Sequence, residues 1–212
     1  MYIPINAMVY CQDKIYGYTQ AVILNPASNV ITHLVVKESK RPHIERLVPI
    51  EMIDASLTDN IHLKFNETKL QSLPPFFDVE YIQTTIPHYT QVHDMYHVEP
   101  IVMNEKKFVE ERIYHIPSDE LAVNRDAAVY SADGHALGKV DEFLVEQNGG
   151  HFTHLILREG HLWSQKDVFI PVADIETIKE SNLQLKLDKE NIEKLPNIPV
   201  QSMRLYARLI HN

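Results

Sequence analysis

The chain of 212 residues holds a single cysteine, Cys11. One thiol cannot build a disulfide framework or a cysteine-rich metal site. It reads as a small buried hydrophobe rather than a reactive group. Glycine is scarce, with 6 residues, and no glycine-rich phosphate loop is present. There is no HExxH pattern either. No apolar run approaches the ~20 residues of a membrane span, and Met1-Tyr2-Ile3-Pro4 lacks the basic and apolar regions of a signal peptide. These absences set a cytoplasmic location as the expectation. Basic charge is also short: 20 Lys and Arg stand against 29 Asp and Glu, for a net charge of −9. A body of this sign does not attract nucleic acid through its phosphates, so extensive nucleic-acid binding is excluded as an expectation.

What the chain does have is an internal repeat. Val9-Tyr10 opens a segment ending in Leu73-Pro74, and Val129-Tyr130 opens one ending in Leu195-Pro196. Between them the landmarks recur in order. Asp13 matches Asp133, Gly17 matches Gly138, and Thr32-His33-Leu34 matches Thr153-His154-Leu155. Val48-Pro49-Ile50 matches Ile170-Pro171-Val172. A unit this long implies a domain duplication rather than a solenoid. The expected organisation is a first domain over 1–77, an acidic connector over 78–120 and a second domain over 121–212. Charge follows those boundaries: the first segment is neutral, the connector carries three basic and nine acidic residues, and the last carries ten and thirteen.

Each copy reads as short strands. Val30–Lys37 and His151–Arg158 alternate with apolar residues on both faces, as in a strand buried on both sides or in a small closed barrel. Asp133-Gly134 between apolar runs is a hairpin signal, which the first copy has lost. Gly17 and Gly138 read as bulge or close-approach positions. Pro49 and Pro171 read as edge or bend positions, since proline cannot donate to a ladder. A short helix closes each copy, with Asn66 and Asp188 as its N-caps. Within the connector, Glu105–Tyr114 fits one helical turn or a strand, and Pro87, Pro100 and Pro117 mark a linking segment.

The order of strand, Asp-Gly turn, glycine, Thr-His-Leu run, Val-Pro-Ile and terminal Leu-Pro resembles the PRC-barrel family. Asp133-Gly134 with Gly138-Lys139-Val140, Thr32–Val36, Thr153–Leu157, Val48-Pro49 and Ile170-Pro171 carry the resemblance. It implies an all-β protein of two small PRC-type β-barrels, each with a short C-terminal helix. Two known settings go with the family: the cytoplasmic domain of the photosynthetic reaction-centre H subunit, and the C-terminal domain of a ribosome maturation factor. The expected role is therefore non-catalytic, a binding or scaffold module docking on a protein or a macromolecular assembly. An accessory role in ribosome or photosynthetic-complex assembly follows by analogy, and homo-oligomerisation is compatible with both.

Three groups of residues stand as candidate sites. Arg158, His161 and Trp163, the only tryptophan, form a loop suited to anchoring a protein partner, or to covering a barrel end. His33 and His154 recur at the same mid-strand position and read as structural, with hydrogen-bonded rings. His88, His93 and His97 are the densest histidine cluster. They are the basis of the alternative reading, a metal-dependent sensor or enzyme, although their spacing matches no metal motif. No cofactor is expected.

Overall fold

The computed structural model describes residues 1–56, 59–94, 97–146, 149–159 and 168–195, with backbone alone along 86–94, 97–105 and 158–159. The first half holds β1 (Tyr2–Pro4), β2 (Met8–Cys11), β3 (Lys14–Asn25), β4 (Val30–Glu38) and β5 (Glu45–Pro49). A 3₁₀ turn (Ile50–Met52) leads to β6 (Ile53–Ser56), β7 (Asn60–Leu63) and α1 (Glu67–Gln71). Two long strands follow, β8 (Phe77–Asp94) and β9 (His97–Tyr114). The second half holds β10 (Leu121–Asn124), β11 (Ala128–Tyr130), β12 (Ala136–Val145), β13 (Phe152–Glu159) and β14 (Val168–Pro171). A second 3₁₀ turn (Val172–Asp174) precedes β15 (Ile175–Ile178), β16 (Asn182–Leu185) and α2 (Lys189–Glu193). The protein is all-β apart from these short helical pieces.

The two halves share one ladder plan. One sheet runs β5-β4-β3-β2-β7-β6 and the other β14-β13-β12-β11-β16-β15. In each, β2 or β11 pairs in parallel with β7 or β16, and the remaining neighbours are antiparallel. Among the described residues no ladder joins β5 to β6 or β14 to β15, so each sheet has two free ends.

Local sequence explains the turns. In the second half Gly134 takes φ 81°, and its N–H donates to the Ser131 carbonyl at 2.9 Å. In the first half, one residue shorter, Gln12 takes the left-handed conformation at φ 56° instead. Ladder register then slips opposite Tyr16 and Leu137, which are bulged, and both side chains are buried. Gly17 follows its bulge where the backbone passes under Lys37: a Cβ there would lie 1.8 Å from the Lys37 carbonyl oxygen. Pro49 and Pro171 end the outermost strands β5 and β14 and start the 3₁₀ turns, where a missing donor is tolerated.

The caps differ between copies. Asn66 Oδ1 accepts the Lys69 N–H at 3.0 Å, as expected. Asp188 makes no such bond. Instead Asp133, in the β11–β12 turn, accepts the Lys189 N–H at 3.2 Å, so the turn caps the helix across the sheet.

The halves exchange strands. β1 pairs antiparallel with β12, placing Tyr2, Ile3 and Pro4 opposite Leu144, Phe143 and Glu142. β10 pairs antiparallel with β3, placing Leu121, Ala122, Val123 and Asn124 opposite Leu24, Ile23, Val22 and Ala21. Flanking bonds repeat the symmetry: Ile5 N–H to the Asp141 carbonyl, and Arg125 N–H to the Gln20 carbonyl. An isolated bridge, Val30 to His151, sits at the centre of this two-fold relation. Around it Ile31 N–H donates to Gly150 at 2.9 Å and Phe152 N–H to Asn29 at 3.0 Å. One hydrophobic core therefore contains residues of both halves, with Ile3, Val22, Val123 and Phe143 fully buried.

Accordingly Met1–Phe76 and the described residues from Ile116 onward form one compact unit, and Phe77–His115 forms another. The connector expected at 78–120 falls largely on the second unit, a two-stranded ribbon. Glu105–Tyr114 is strand.

Because the exchanged strands enter a shared core, we expect one cooperative unfolding transition in urea. Ile3→Ala should lower its free energy by about 2–5 kcal/mol, and Val123→Ala should move the same transition. Two resolved transitions, with each variant shifting only one, would show that the exchange does not couple the halves.

Candidate functional site

The two recurring histidines sit in matching surroundings. His33 stands opposite Pro49 and His154 opposite Pro171 in their ladders. Each ring Nδ1 lies about 3 Å from the hydroxyl of the preceding threonine, 2.9 Å at Thr32 and 3.0 Å at Thr153. The Thr32 hydroxyl has one proton and lies 2.6 Å from Glu120 Oε2, to which it donates. His33 Nδ1 is therefore the donor to Thr32 Oγ1, which leaves Nε2 as an acceptor. Burial holds both imidazoles below the ordinary histidine value of 6.5; at His33, Glu120 and Glu51 pull the other way. A cleft of about 440 Å³ opens beside His33, lined also by Thr32, Pro49, Glu51 and Glu146.

A second polar cluster lies in the first half. The Tyr16 hydroxyl donates to Glu38 Oε1, and Arg46 Nε approaches the same oxygen at 2.9 Å. Arg46 Nη1 donates to the Leu73 carbonyl at 2.8 Å, tying the cluster to the end of α1. Burial, followed by the bond to Glu38, pushes the Tyr16 phenol above its ordinary value of 10.0. The repeat places Leu137, Glu159 and Val168 at these positions. Nothing in the spacing of 16, 38 and 46 signals the cluster. The divergence between the copies was its only trace.

Cys11 is buried, and burial with Glu67 nearby pushes its thiol up to about 11. That is the inert, structural character expected of it.

The ribbon presents a different kind of surface. Its first rungs place Phe77 opposite Tyr114, Val79 opposite Arg112, Tyr81 opposite Glu110 and Gln83 opposite Phe108. The alternate face places Asp78 opposite Ile113, Glu80 opposite Glu111, Ile82 opposite Val109 and Thr84 opposite Lys107. Tyr81 is 69% exposed and Phe108 66%, and Val79, Ile82, Val109 and Ile113 are each above 40%. A two-stranded ribbon has no second layer to cover either face, and alone it is marginal in water.

The sequence-derived candidates fare unevenly. Gly17, His33, Pro49, Gly138, His154 and Pro171 fall in the strands as landmarks of the ladders. The backbone of Arg158 pairs with Lys139 in β13; its side chain, His161 and Trp163 lie outside the described residues. His88, His93 and His97 occupy ladder positions in β8 and β9, opposite Met103, Val98 and Asp94. Their side chains also lie outside the described residues. No group of metal-ligating side chains occurs among the described residues. The exposed apolar stretch of the ribbon was missed, although the alternation Tyr81-Ile82 and Phe108-Val109 was its signal.

Comparison with protein families matches residues 124–192 to the PRC-barrel domain. Residues 124–192 are a PRC-barrel domain. The match takes in β11 to β16 and most of α2, and leaves β10 outside except for Asn124. The first half lies outside the matched range. No curated protein matches the chain. No described helix is long and apolar enough to cross a membrane.

Two outcomes test the polar groups. Arg46→Met should cost about 3–5 kcal/mol, because Glu38 is left without its buried partner; urea unfolding reads this directly. For the histidines, a lowered folded value means the unfolded chain takes up the proton first. Their stabilisation is present above pH 6.5 and lost as pH falls below it. The unfolding free energy of the double variant His33→Gln, His154→Gln should fall less steeply below pH 6.5 than the parent's. Parallel profiles would remove the histidines from the pH response.

Proposed function

We propose that this is a non-catalytic binding or assembly protein. In this reading the strand-exchanged body is a rigid carrier, and the ribbon Phe77–His115 is the docking element. The carrying observation is the ribbon's exposed apolar surface, with Tyr81 and Phe108 each about two-thirds exposed. Large exposed aromatics at neighbouring rungs are costly in an isolated protein and typical of a surface that a partner covers. The PRC-barrel domain supports the same role, because the family is associated with interaction and assembly.

Chain connectivity supports it as well. Phe77 and Tyr114 are a directly opposed pair with ring centroids 5.6 Å apart, so the ribbon leaves and returns at neighbouring points. Directly opposed Cα atoms lie roughly 5 Å apart, a gap that a short turn closes. Two strands of 18 residues each, roughly 60 Å long at about 3.3 Å per residue, are not needed to join Phe76 to Ile116. The reading places the protein in the cytoplasm, and the Arg158, His161 and Trp163 loop becomes a second docking region of the same role.

Replacing residues 77–115 by a short polar turn should leave the urea midpoint of the body essentially unchanged. Cross-linking in cells followed by mass spectrometry should then show loss of the partners captured by the parent. The same partners captured by both proteins would place the docking surface on the body and overturn the assignment to the ribbon.

A further inference from the structure

The two ribbon faces are not equally served by their own side chains. On the face of Phe77 and Tyr81, Arg112 lies 4.7 Å over the Phe77 ring and 3.5 Å from Glu110. Its charge and two of its aromatics, Phe77 and Tyr114, thus have partners within the ribbon. On the other face Asp78 meets His115 Nε2 at 2.9 Å, but the rungs that follow are not served in this way. Glu80 and Glu111 are directly opposed, two like charges on one rung, and among the described residues no cation pairs with either. Like charges in this position destabilise an antiparallel pair. One rung further out lies Ile82 opposite Val109, 47% and 46% exposed, and one rung beyond that Lys107 opposite Thr84, also without an ion pair among the described residues.

From Glu80/Glu111 to Thr84/Lys107 the order along this face is therefore acidic rung, apolar rung, basic rung. That order is self-complementary under a two-fold rotation about the apolar rung. Laying the face antiparallel on a copy of itself stacks Ile82 and Val109 on their equivalents. It also brings Lys107 of each copy over the Glu80/Glu111 rung of the other. A closed two-fold interface is isologous, with the same patch on both subunits, and this patch meets that condition in both charge and hydropathy.

We propose that a second copy of this chain packs on the ribbon face formed by Glu80, Ile82, Lys107, Val109 and Glu111, antiparallel, about a two-fold axis through the Ile82/Val109 rung. The proposal rests on the reading of the ribbon as the docking element and names its occupant. The second copy relieves the one like-charge rung that the described ribbon leaves unbalanced and covers its apolar centre. Each copy keeps the Phe77/Tyr81 face for other use.

The test is sedimentation velocity on the full chain across a concentration series. A monomer–dimer equilibrium is expected. Ile82→Asp should weaken it by about tenfold or more, since it places a charge against its own copy at the axis. Two charge variants give the sharper reading. Glu80→Lys with Glu111→Lys leaves only basic charge among the five patch residues, and Lys107→Glu leaves only acidic charge among them. Each alone should be monomeric where the parent is dimeric, and their equimolar mixture should restore a dimer containing one of each. Circular dichroism and the urea midpoint of each variant control for folding. A parent that stays monomeric at the highest attainable concentration overturns self-pairing, while the docking role of the ribbon is decided separately by partner capture with the ribbon removed. A dimer unaffected by all three variants places the interface elsewhere and also overturns the proposal. Single variants that dissociate without rescue on mixing overturn the antiparallel register.

Discussion

The structure depends on the reciprocal exchange of β1 and β10. Each is three or four residues long, too short to hold a conformation by itself, and each completes a sheet built by the opposite half of the chain. Ile3 lies between the two sets of side chains at zero exposure, directly opposite Phe143, whose ring meets Phe152 edge-on at 5.4 Å. Removing β1 would uncover the β12 backbone at Glu142–Leu144 and open the core there. The same holds for β10 over Ala21–Leu24. The exchange also explains how halves of roughly 75 residues, each small for an independent core, reach a core of ordinary size.

The exchange constrains what else the chain can do. The two-fold centre at Val30 and His151 holds the β3–β4 and β12–β13 turns against each other. His33 and His154 lie three residues beyond that centre, where their threonine bonds and half-burial fix the rings. Their preserved identity is accounted for by this packing and by the proline opposite each. The first half alone carries the Tyr16, Glu38 and Arg46 cluster, so the copies have equal ladders but unequal interiors. A buried ion pair of this kind is weak evidence for stability as such. Its consequence is specificity: Arg46 reaches from β5 to the Leu73 carbonyl, which fixes where the chain leaves the first half.

Much of the ladder plan was legible in the sequence, because alternation and turn chemistry are local. The runs at 30–37 and 151–158, the Asp133-Gly134 turn and the strand-ending prolines Pro49 and Pro171 all stand as read. The exchange was not legible. Tyr2-Ile3-Pro4 and Leu121-Ala122-Val123 are too short to show a period, and their partners lie 97 or more residues away. The ribbon was hidden for another reason. Pro87 and Pro100 argue against a central strand, yet both strands of a ribbon are edge strands, where proline is tolerated. They stand opposite Asn104 and Gln91 in an unbroken ladder. Asp188 stands at the N-cap as read but makes no side-chain bond there, and the extra acceptor at this helix start, Asp133, comes from 56 residues away.

The ribbon shows how local and global requirements part. Within the body most buried strand positions are apolar. Along β8 and β9 the pairing is regular, yet the side chains contradict it: two glutamates oppose each other and apolar rungs face water. A local conflict of this kind in an otherwise consistent chain marks a position shaped by something beyond the fold. The acidic balance of residues 78–120 points the same way, since nine acids against three bases would, if evenly spread, keep any surface apart from its copy. They are not evenly spread over the rungs whose side chains are described. Asp78, Glu80, Glu110 and Glu111 lie near the start of β8 and the end of β9, while Lys107 and Lys106 lie four and five rungs from the Glu80/Glu111 rung. Separation of charge along a rigid strand pair, with apolar side chains between, sets both an orientation and a register, which is what an antiparallel interface requires.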